Sequence, residues 1–185
     1  MQLIQNKLVH RANFPFLRGL LDLILEMPES FRGTPMIEIG SCIGESTRLF
    51  SLFFSPVYAV DPLVGGRGVN VREVFTKTTA GRSIVSVPKL SKDAVNDVPG
   101  GVSLVYIDGN HRYAFVKEDI KNYLPKIRSD GYIGGHDYVV GSSKRPPVPA
   151  KPGCSPIEVE KAVNEVLGLP DKIFVDHSWL KKITL

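Results

Sequence analysis

The chain has little cysteine and no long apolar run. Its 185 residues include only Cys42 and Cys154, and neither has the C-x-x-C neighbour of a zinc or redox motif. Two cysteines cannot build the disulfide framework of small secreted domains, so a reduced, cytoplasmic setting is expected. The N-terminus lacks a signal-peptide pattern, and charged Asp22 and Glu26 interrupt its apolar cluster at 20–27. That cluster is far shorter than the roughly 20 residues of a membrane span, so no membrane partner is predicted.

A strong charge of one sign is also missing. The 23 basic and 19 acidic side chains give a formal net charge of +4, and the basic residues are scattered along the chain. This pattern is typical of a solvated surface, so nucleic acid is an unfavoured partner. The chain has 43% hydrophobic residues, close to the average of globular domains. For this length we expect a single domain over 1–185.

Short apolar strands alternate with helical segments through most of the chain. The pattern predicts strands at 36–40, 57–60, 83–87, 102–107 and 132–135, and helices at 14–28, 45–54, 70–79, 91–95, 116–127 and 157–167. Pro125 is expected to end or kink the helix at 116–127, and Asp130-Gly131 is predicted to turn into the fifth strand. The segments 172–175 and 180–185 are spaced like a hairpin. The alternation favours a doubly wound, three-layer α/β sandwich whose seven-stranded sheet is mostly parallel, with a C-terminal antiparallel hairpin.

The stretch 36–46 predicts a binding corner made of a strand, a tight glycine turn and a helix start. Glycines let a ligand approach the backbone, and a helix start offers unpaired N–H groups. The central glycine of the pyrophosphate motif G-x-G-x-x-G is absent, because Ser41 follows Gly40 and the next glycine is Gly44. Glu38, just before the turn, would repel a pyrophosphate and would suit a ligand with an ammonium group.

Acids or histidines stand at the ends of four predicted strands. They are Glu38, Asp61, Asp108, His111, His136 and Asp137. Ligands of open α/β sheets lie at the carboxyl ends of the strands, so this set predicts a functional site. Asp61 comes 21 residues after Gly40, the distance at which an acid accepts hydrogen bonds from a ribose diol. This chemistry favours S-adenosylmethionine, which carries an ammonium, a sulfonium and a ribose diol.

On these residues the chain resembles the class I S-adenosylmethionine-dependent methyltransferases. More narrowly, it is similar to small methyltransferase-domain proteins whose signature reads like Ile-Asp-Gly-Asn-His-Arg-Tyr at 107–113 and Gly-Gly-His-Asp-Tyr at 134–138. The resemblance covers roughly residues 34–168. It implies a Rossmann-like methyltransferase fold, an enzyme, and S-adenosylmethionine as cofactor.

The resemblance also implies a role for each position of the corner. The residues implied to bind the cofactor are Glu38, Gly40, Ser41, Gly44, Ser46, Asp61, Ser91, Lys92 and Asp108. Within this set, Glu38 and the glycine turn would surround the methionine part, and Asp61 would hold the ribose. Ser91 and Lys92 would contact the adenine. Ser91 is equally explained as a plain helix N-cap.

The resemblance places a divalent metal at Asp108, His136 and Asp137. These residues match the positions at which catechol-type and macrolide-sugar O-methyltransferases hold their ion. His136 stands where those enzymes have an acid, so manganese or a softer metal competes with magnesium as the expected ion. His111 falls where the catechol type has a catalytic lysine, and it could accept a hydroxyl proton. Two alternatives stay open: His111 is itself a ligand, or the four residues form a hydrogen-bonded cluster without metal.

The resulting hypothesis is O-methylation of a small molecule or sugar hydroxyl, with Asp108 and His111 as catalytic residues. Residues 1–33 are predicted to form an N-terminal helical cap, and 138–156 a substrate-side loop. The alternatives are an NAD- or nucleotide-binding Rossmann protein, a non-catalytic nucleic-acid-binding module, and a relative with the same fold and other chemistry. A homo-oligomer stays open, because a chain this short leaves part of the substrate site to be covered by a partner subunit.

Overall fold

One seven-stranded sheet organises the chain. The computed structural model describes residues 15–64, 70–141 and 158–184. The strands are β1 (Met36–Ile39), β2 (Val57–Val60), β3 (Ile84–Val87), β4 (Val102–Ile107), β5 (Ile127–Gly135), β6 (Lys172–Ile173) and β7 (Trp179–Lys182). Their order in the sheet is β3-β2-β1-β4-β5-β7-β6. The first five strands are parallel, and β7 runs antiparallel to both β5 and β6. The predicted sheet and its C-terminal hairpin are confirmed.

Helices connect these strands. They are α1 (Pro15–Glu26), α2 (Glu45–Phe50), α3 (Val71–Thr79), α4 (Ser91–Ala94), α5 (Tyr113–Tyr123) and α6 (Val159–Leu167), with 3-10 turns at Glu29–Phe31, Val95–Asp97 and Leu124–Lys126. Asn70 caps α3, because its Oδ1 accepts from the backbone N–H of Glu73 at 3.2 Å. A search of the described helices finds none that is both long and apolar enough to cross a membrane.

The helices cover both faces of the sheet. Along β1, Ile37 and Ile39 point to the face covered by α5 and α6, where Ile120 and Val163 pack. Met36 points to the opposite face, which α1 and α2 cover. This alternation is the two-residue period of a strand buried on both sides. The predicted three-layer sandwich is therefore confirmed.

Helix α1 packs its apolar stripe on the sheet. Leu20, Leu23 and Ile24 are buried in the same cluster as Met36 of β1. The predicted helix at 14–28 is confirmed, and it covers a face of the sheet. Whether residues 1–33 also cover a substrate stays a prediction. The predicted loop 138–156 lies largely outside the described residues, and its described start follows directly on Asp137.

One predicted boundary was wrong. The Asp130-Gly131 turn is part of β5, because the carbonyl of Gly131 accepts from the N–H of Ile183 at 2.8 Å and so continues the pairing with the C-terminal hairpin. The helix with its apolar face at 116–127 ends at Tyr123, just before Pro125, as expected from the proline. Pro125 lies in the 3-10 turn that follows, since proline has no N–H to continue an α-helix.

Candidate active site

The glycine turn after β1 is required by close packing between two strand ends. Gly40 has a φ of 90°, and a Cβ there would lie 2.2 Å from the carbonyl oxygen of Asp108. Gly44 has a φ of 85° and forms the N-cap of α2. Both positions favour glycine, because side chains clash in the left-handed region. Between them, Cys42 is exposed with a φ of 46°, so it is not a packing residue of the core.

Glu38 is a buried acid beneath this turn. The alternation of β1 directs its side chain to the α2 face, where the hydroxyls of Ser46 and Thr47 each donate to one carboxylate oxygen at 2.5 Å. Burial raises the pKa of Glu38 to about 7. The two hydroxyl bonds lower this pKa, whereas the nearby carboxylates of Asp108 and Asp61 raise it further. The acid is therefore only partly ionised at neutral pH.

Ser41 carries a buried hydroxyl that lacks a partner. Its side chain is 2% exposed, and its Oγ makes no hydrogen bond to any of the described residues. A buried polar atom without a partner costs free energy, so such atoms usually mark a missing water or ligand. A polar ligand lying in the glycine turn would supply that partner.

Asp61 ties the end of β2 to the glycine turn. Its Oδ2 accepts from the backbone N–H of Cys42 at 3.0 Å, and its Oδ1 accepts from that of Leu63 at 2.7 Å. The side chain is half-buried, and each carboxylate oxygen can accept more than one hydrogen bond. Asp61 can therefore hold the turn and still accept from a ligand diol.

The acids and histidines after β4 and β5 meet in one cluster. The two strands are parallel neighbours with Ile107 opposite Gly135, so Asp108 and His136 follow paired residues. His111 lies between two carboxylates, with Nε2 at 3.3 Å from Asp108 Oδ1 and Nδ1 at 2.8 Å from Asp137 Oδ2. His136 Nδ1 lies 3.3 Å from Asp137 Oδ1 and 4.0 Å from Asp108 Oδ1.

The protonation of this cluster is set by its own members. Hydrogen bonds to Asp108 and Asp137 raise the pKa of His111 to about 10. Burial acts to lower the pKa of His136, but the same two carboxylates outweigh it and raise that pKa. The histidines hold the pKa of Asp137 well below its usual range, whereas burial raises the pKa of Asp108.

Three of these residues form a candidate metal site. Ligand atoms of Asp108, His111 and Asp137 all lie within 4.8 Å of one another. Two carboxylates and an imidazole suit manganese or zinc as well as magnesium. The sequence predicted the ligand set Asp108, His136 and Asp137, whereas this group has His111 as its histidine. The group agrees with the alternative in which His111 is a ligand.

Ser91 and Lys92 lie at the start of α4. The N-cap position is Leu90 and no side chain caps this helix, so the interpretation of Ser91 as an N-cap was wrong. The backbone carbonyl of Ser91 instead accepts from the hydroxyl of Tyr123 on α5 at 2.7 Å. Lys92 is exposed.

A family model described as a methyltransferase domain matches residues 37–138, more than half of the chain. The chain belongs to this methyltransferase family. The match runs from β1 to Tyr138 and so includes the glycine turn, Asp61 and the whole cluster after β4 and β5. The resemblance to class I S-adenosylmethionine-dependent methyltransferases and the Rossmann-like methyltransferase fold are confirmed.

Individual relatives are distant. An uncharacterized protein of Acanthamoeba polyphaga mimivirus is 27% identical over 111 residues, which is 55% of this chain and 50% of that protein. A candidate caffeoyl-CoA O-methyltransferase from Staphylococcus aureus has a TM-score of 0.69 at 15% identity, covering 90% of this chain and 83% of that one. Another solved structure is phosphoethanolamine N-methyltransferase 1 of Haemonchus contortus in complex with phosphoethanolamine and S-adenosylhomocysteine. It has a TM-score of 0.56 at 16% identity, covering 89% of this chain and 42% of that one.

These relatives establish the fold of this methyltransferase but leave its acceptor open. The two structures are named for an O-methyltransferase and an N-methyltransferase, and likeness at such low identity shows the fold alone. This chain spans about half the length of the curated relative that it matches.

Sequence reasoning missed one residue of the methyltransferase site. Thr47 binds Glu38 as closely as Ser46 does, and two adjacent hydroxyls in the first turn of a helix after a buried acid would have been the signal.

Proposed function

We propose that this protein transfers the methyl group of S-adenosylmethionine to a hydroxyl oxygen of a small molecule, a sugar hydroxyl included, with the help of a divalent cation. The observation that carries the proposal is the cluster in which His111 lies between Asp108 and Asp137, one strand away from the buried acid Glu38. The family supports the methyl transfer, and the cluster supports the choice of oxygen as acceptor.

The corner after β1 fits a cationic nucleoside ligand. Glu38 is buried, and the charged groups that act on it are the carboxylates of Asp61 and Asp108. An ammonium group beside it would stabilise the ionised form. The unpartnered hydroxyl of Ser41 offers a further contact, and Asp61 retains acceptor capacity for a ribose diol.

The cluster after β4 and β5 fits a divalent ion. Asp108 and Asp137 would hold it, with His111 or His136 as the nitrogen ligand. Such an ion would lower the pKa of an acceptor hydroxyl and orient that hydroxyl for reaction. The mixed oxygen and nitrogen donors favour manganese or zinc over magnesium.

His111 would accept the hydroxyl proton if it is not itself a ligand. The acceptor oxygen forms a bond to the methyl carbon, the bond from that carbon to sulfur breaks, and the hydroxyl proton passes to the imidazole. Between two free carboxylates this imidazole has a pKa of about 10 and is already protonated at neutral pH. The neutral form therefore requires Asp108 and Asp137 to be engaged by another cation.

This requirement favours oxygen over nitrogen as the acceptor. A neutral amine already has a lone pair to attack a methyl group, whereas a hydroxyl reacts well only as its proton leaves. A site that combines a histidine with two carboxylates supplies what a hydroxyl needs. The protein itself otherwise contributes proximity and alignment of donor and acceptor.

The test is a comparison of His111→Ala with the exposed His177→Ala. Radiolabelled methyl transfer to a panel of catechols and sugars is measured with manganese, and S-adenosylhomocysteine binding is measured by calorimetry. We expect His111→Ala to keep the affinity and to lose turnover, and His177→Ala to keep both. Unchanged turnover in His111→Ala would remove that histidine from the mechanism. Unchanged turnover of the wild type with a chelator would remove the metal.

The same preparation discriminates the remaining alternatives. A dinucleotide-binding protein would be stabilised by NAD and not by S-adenosylhomocysteine in a thermal-shift assay. A nucleic-acid-binding module would bind DNA or RNA with a strong dependence on salt, and that binding would not require His111, His136 or Asp137.

A further inference from the structure

Glu158 stands at the start of α6, but its side chain binds a different helix. It occupies the N-cap position of α6, where a side chain normally accepts from an N–H of its own first turn. Within the described part of the chain, Glu158 makes no such bond. Its Oε2 accepts instead from the backbone N–H of Tyr113, the first residue of α5, at 3.1 Å. The first N–H groups of a helix lack partners inside it, so Glu158 caps α5 from outside.

Glu158 also holds the same loop with its main chain. Its backbone N–H donates to the carbonyl oxygen of His111 at 2.9 Å. One residue therefore binds both ends of the segment 111–113, the N–H at one end and the carbonyl at the other. Two bonds fix the orientation of this segment as well as its place, because a single bond would still let it rotate.

Helix α6 holds the segment that carries Asp137 as well. Oε1 of Glu160 accepts from the backbone N–H of Gly141 at 2.8 Å. Oδ1 of Asn164 accepts from the hydroxyl of Tyr138 at 2.7 Å. The strands β4 and β5 end side by side, and α6 contacts the segments that follow both of them. This helix is thus a common support for the two segments whose side chains form the cluster.

We infer that Glu158 is a positioning residue that holds the imidazole of His111 between the carboxylates of Asp108 and Asp137. The two contacts measure 3.3 Å and 2.8 Å, so a shift of about 1 Å toward either carboxylate lengthens the other contact beyond hydrogen-bond range. A misplacement of about 1 Å can lower a rate about a hundredfold. The inference rests on the proposed function, in which His111 accepts the hydroxyl proton or binds the cation, and Glu158 acts only through His111.

The test compares two changes at Glu158 with a matched control on the same helix. Glu158→Ala removes the acceptor for the N–H of Tyr113, whereas Glu158→Gln keeps an oxygen in that place. Glu165→Ala is the control, because Glu165 accepts from the side-chain hydroxyl of Tyr113 and from Lys117, and from no backbone group of 111–113 that the structure describes. The control therefore loosens the contact between α5 and α6 without removing the hold on the loop of His111.

The first measurement is the proton NMR spectrum of the folded proteins with a chelator present. A hydrogen bond from an imidazole N–H to a carboxylate is charge-assisted and strong, and its proton resonates far downfield. The signal of His111 is assigned by its loss in His111→Ala. We expect wild type, Glu158→Gln and Glu165→Ala to share this signal, and Glu158→Ala to shift or lose it.

Three results of this measurement overturn the inference. The first is a wild-type signal in Glu158→Ala, because the hold would then be unnecessary. The second is a wild type without the signal, because His111 would then not be held between the carboxylates. The third is an equal loss in Glu158→Gln or Glu165→Ala, because the effect would then follow from lost charge or from loosened helices.

The second measurement separates positioning from binding. With manganese and the panel of catechols and sugars, we expect kcat of Glu158→Ala to fall about tenfold or more while the Kd of S-adenosylhomocysteine stays within about twofold of wild type. Glu158→Gln should recover kcat to within about threefold, because its amide oxygen accepts from the same N–H. Unchanged kcat in a folded Glu158→Ala overturns the inference. Wild type that transfers no methyl group overturns the proposed function, whereas the NMR signals still decide whether Glu158 holds His111.

Discussion

The imidazole Nδ1 of His111 lies 2.8 Å from Oδ2 of Asp137, and this pair governs the charge of the site. This contact and the one with Asp108 together raise the pKa of His111 to about 10. The same contact lowers the pKa of Asp137. Without a bound ion, His111 serves as the counter-ion of the two carboxylates. The function of His111 as a base therefore depends on whether another cation binds the carboxylates of Asp108 and Asp137.

Asp137→Asn is expected to lower the pKa of His111 toward its ordinary value. In the folded wild type this pKa is raised to about 10, so the pair stabilises the fold fully below about pH 6.5 and loses that contribution as pH rises toward 10. The melting temperatures of wild type and Asp137→Asn, measured with a chelator, should therefore differ most near pH 6 and converge at high pH. The exposed Asp130→Asn is the control. A difference that grows above pH 8 would contradict the assignment.

Manganese is expected to raise the melting temperature of the wild type and to lose this effect in Asp108→Asn. A ligand that binds only the folded state stabilises it by an amount that grows with the logarithm of one plus the ratio of its free concentration to its Kd. The proximity of Asp108, His111 and Asp137 predicts that His111→Gln weakens the manganese effect more than His136→Gln does. The reverse order would support the ligand set that the sequence predicted, Asp108, His136 and Asp137.

The sequence was sufficient for the strands that lie in the middle of the sheet. The strands β1, β2 and β4 are short apolar runs that end at an acid or a glycine, and both features follow from burial on two faces and a turn at the ligand edge. The length of β5 could not be found in this way. Its Asp130-Gly131 segment is extended because Ile183, 52 residues after Gly131, pairs with it.

The functional site likewise has positions that the sequence could predict and contacts that it could not. The positions of Asp61 and Asp108 follow from where their strands end, so the sequence could predict them. Some of their partners depend on tertiary packing: Asp61 accepts from the backbone N–H of Cys42 in the glycine turn, and His111, which follows β4, lies against Asp137, which follows β5. No local pattern encodes these two contacts, because each joins segments that follow different strands.

Ser41→Ala is expected to leave the stability of the ligand-free protein unchanged or slightly higher. The wild-type hydroxyl is buried without a partner among the described residues, so its removal ends an unfavourable burial. The affinity for S-adenosylhomocysteine should nevertheless fall about tenfold if the ligand satisfies this hydroxyl. Calorimetry with Ser51→Ala as control separates the two effects, since that hydroxyl already donates to the carbonyl of Arg48. Unchanged affinity in Ser41→Ala would show that the ligand does not reach it.

Glu38→Gln is expected to remove a pH dependence of stability from the ligand-free protein. Burial raises the pKa of Glu38 to about 7 from about 4.5, so its protonation favours the fold below pH 4.5 and this contribution is lost as pH rises through 7. This pKa shift corresponds to a loss of about 3 kcal/mol in the free energy of unfolding as pH rises past 7.

Glutamine does not titrate and still fits between the hydroxyls of Ser46 and Thr47, because its amide can donate to one of them and accept from the other. The free energy of unfolding of Glu38→Gln, relative to wild type, should therefore increase between pH 5 and pH 8 in urea titrations. Asp119 also titrates in this range, but it is present in both proteins and cancels in the difference. Glu45→Gln changes an exposed residue of α2, the helix that carries Ser46 and Thr47, and it should give curves parallel to wild type. Parallel curves for Glu38→Gln would show that Glu38 is already ionised in the folded protein, and that it needs no cationic ligand to become so.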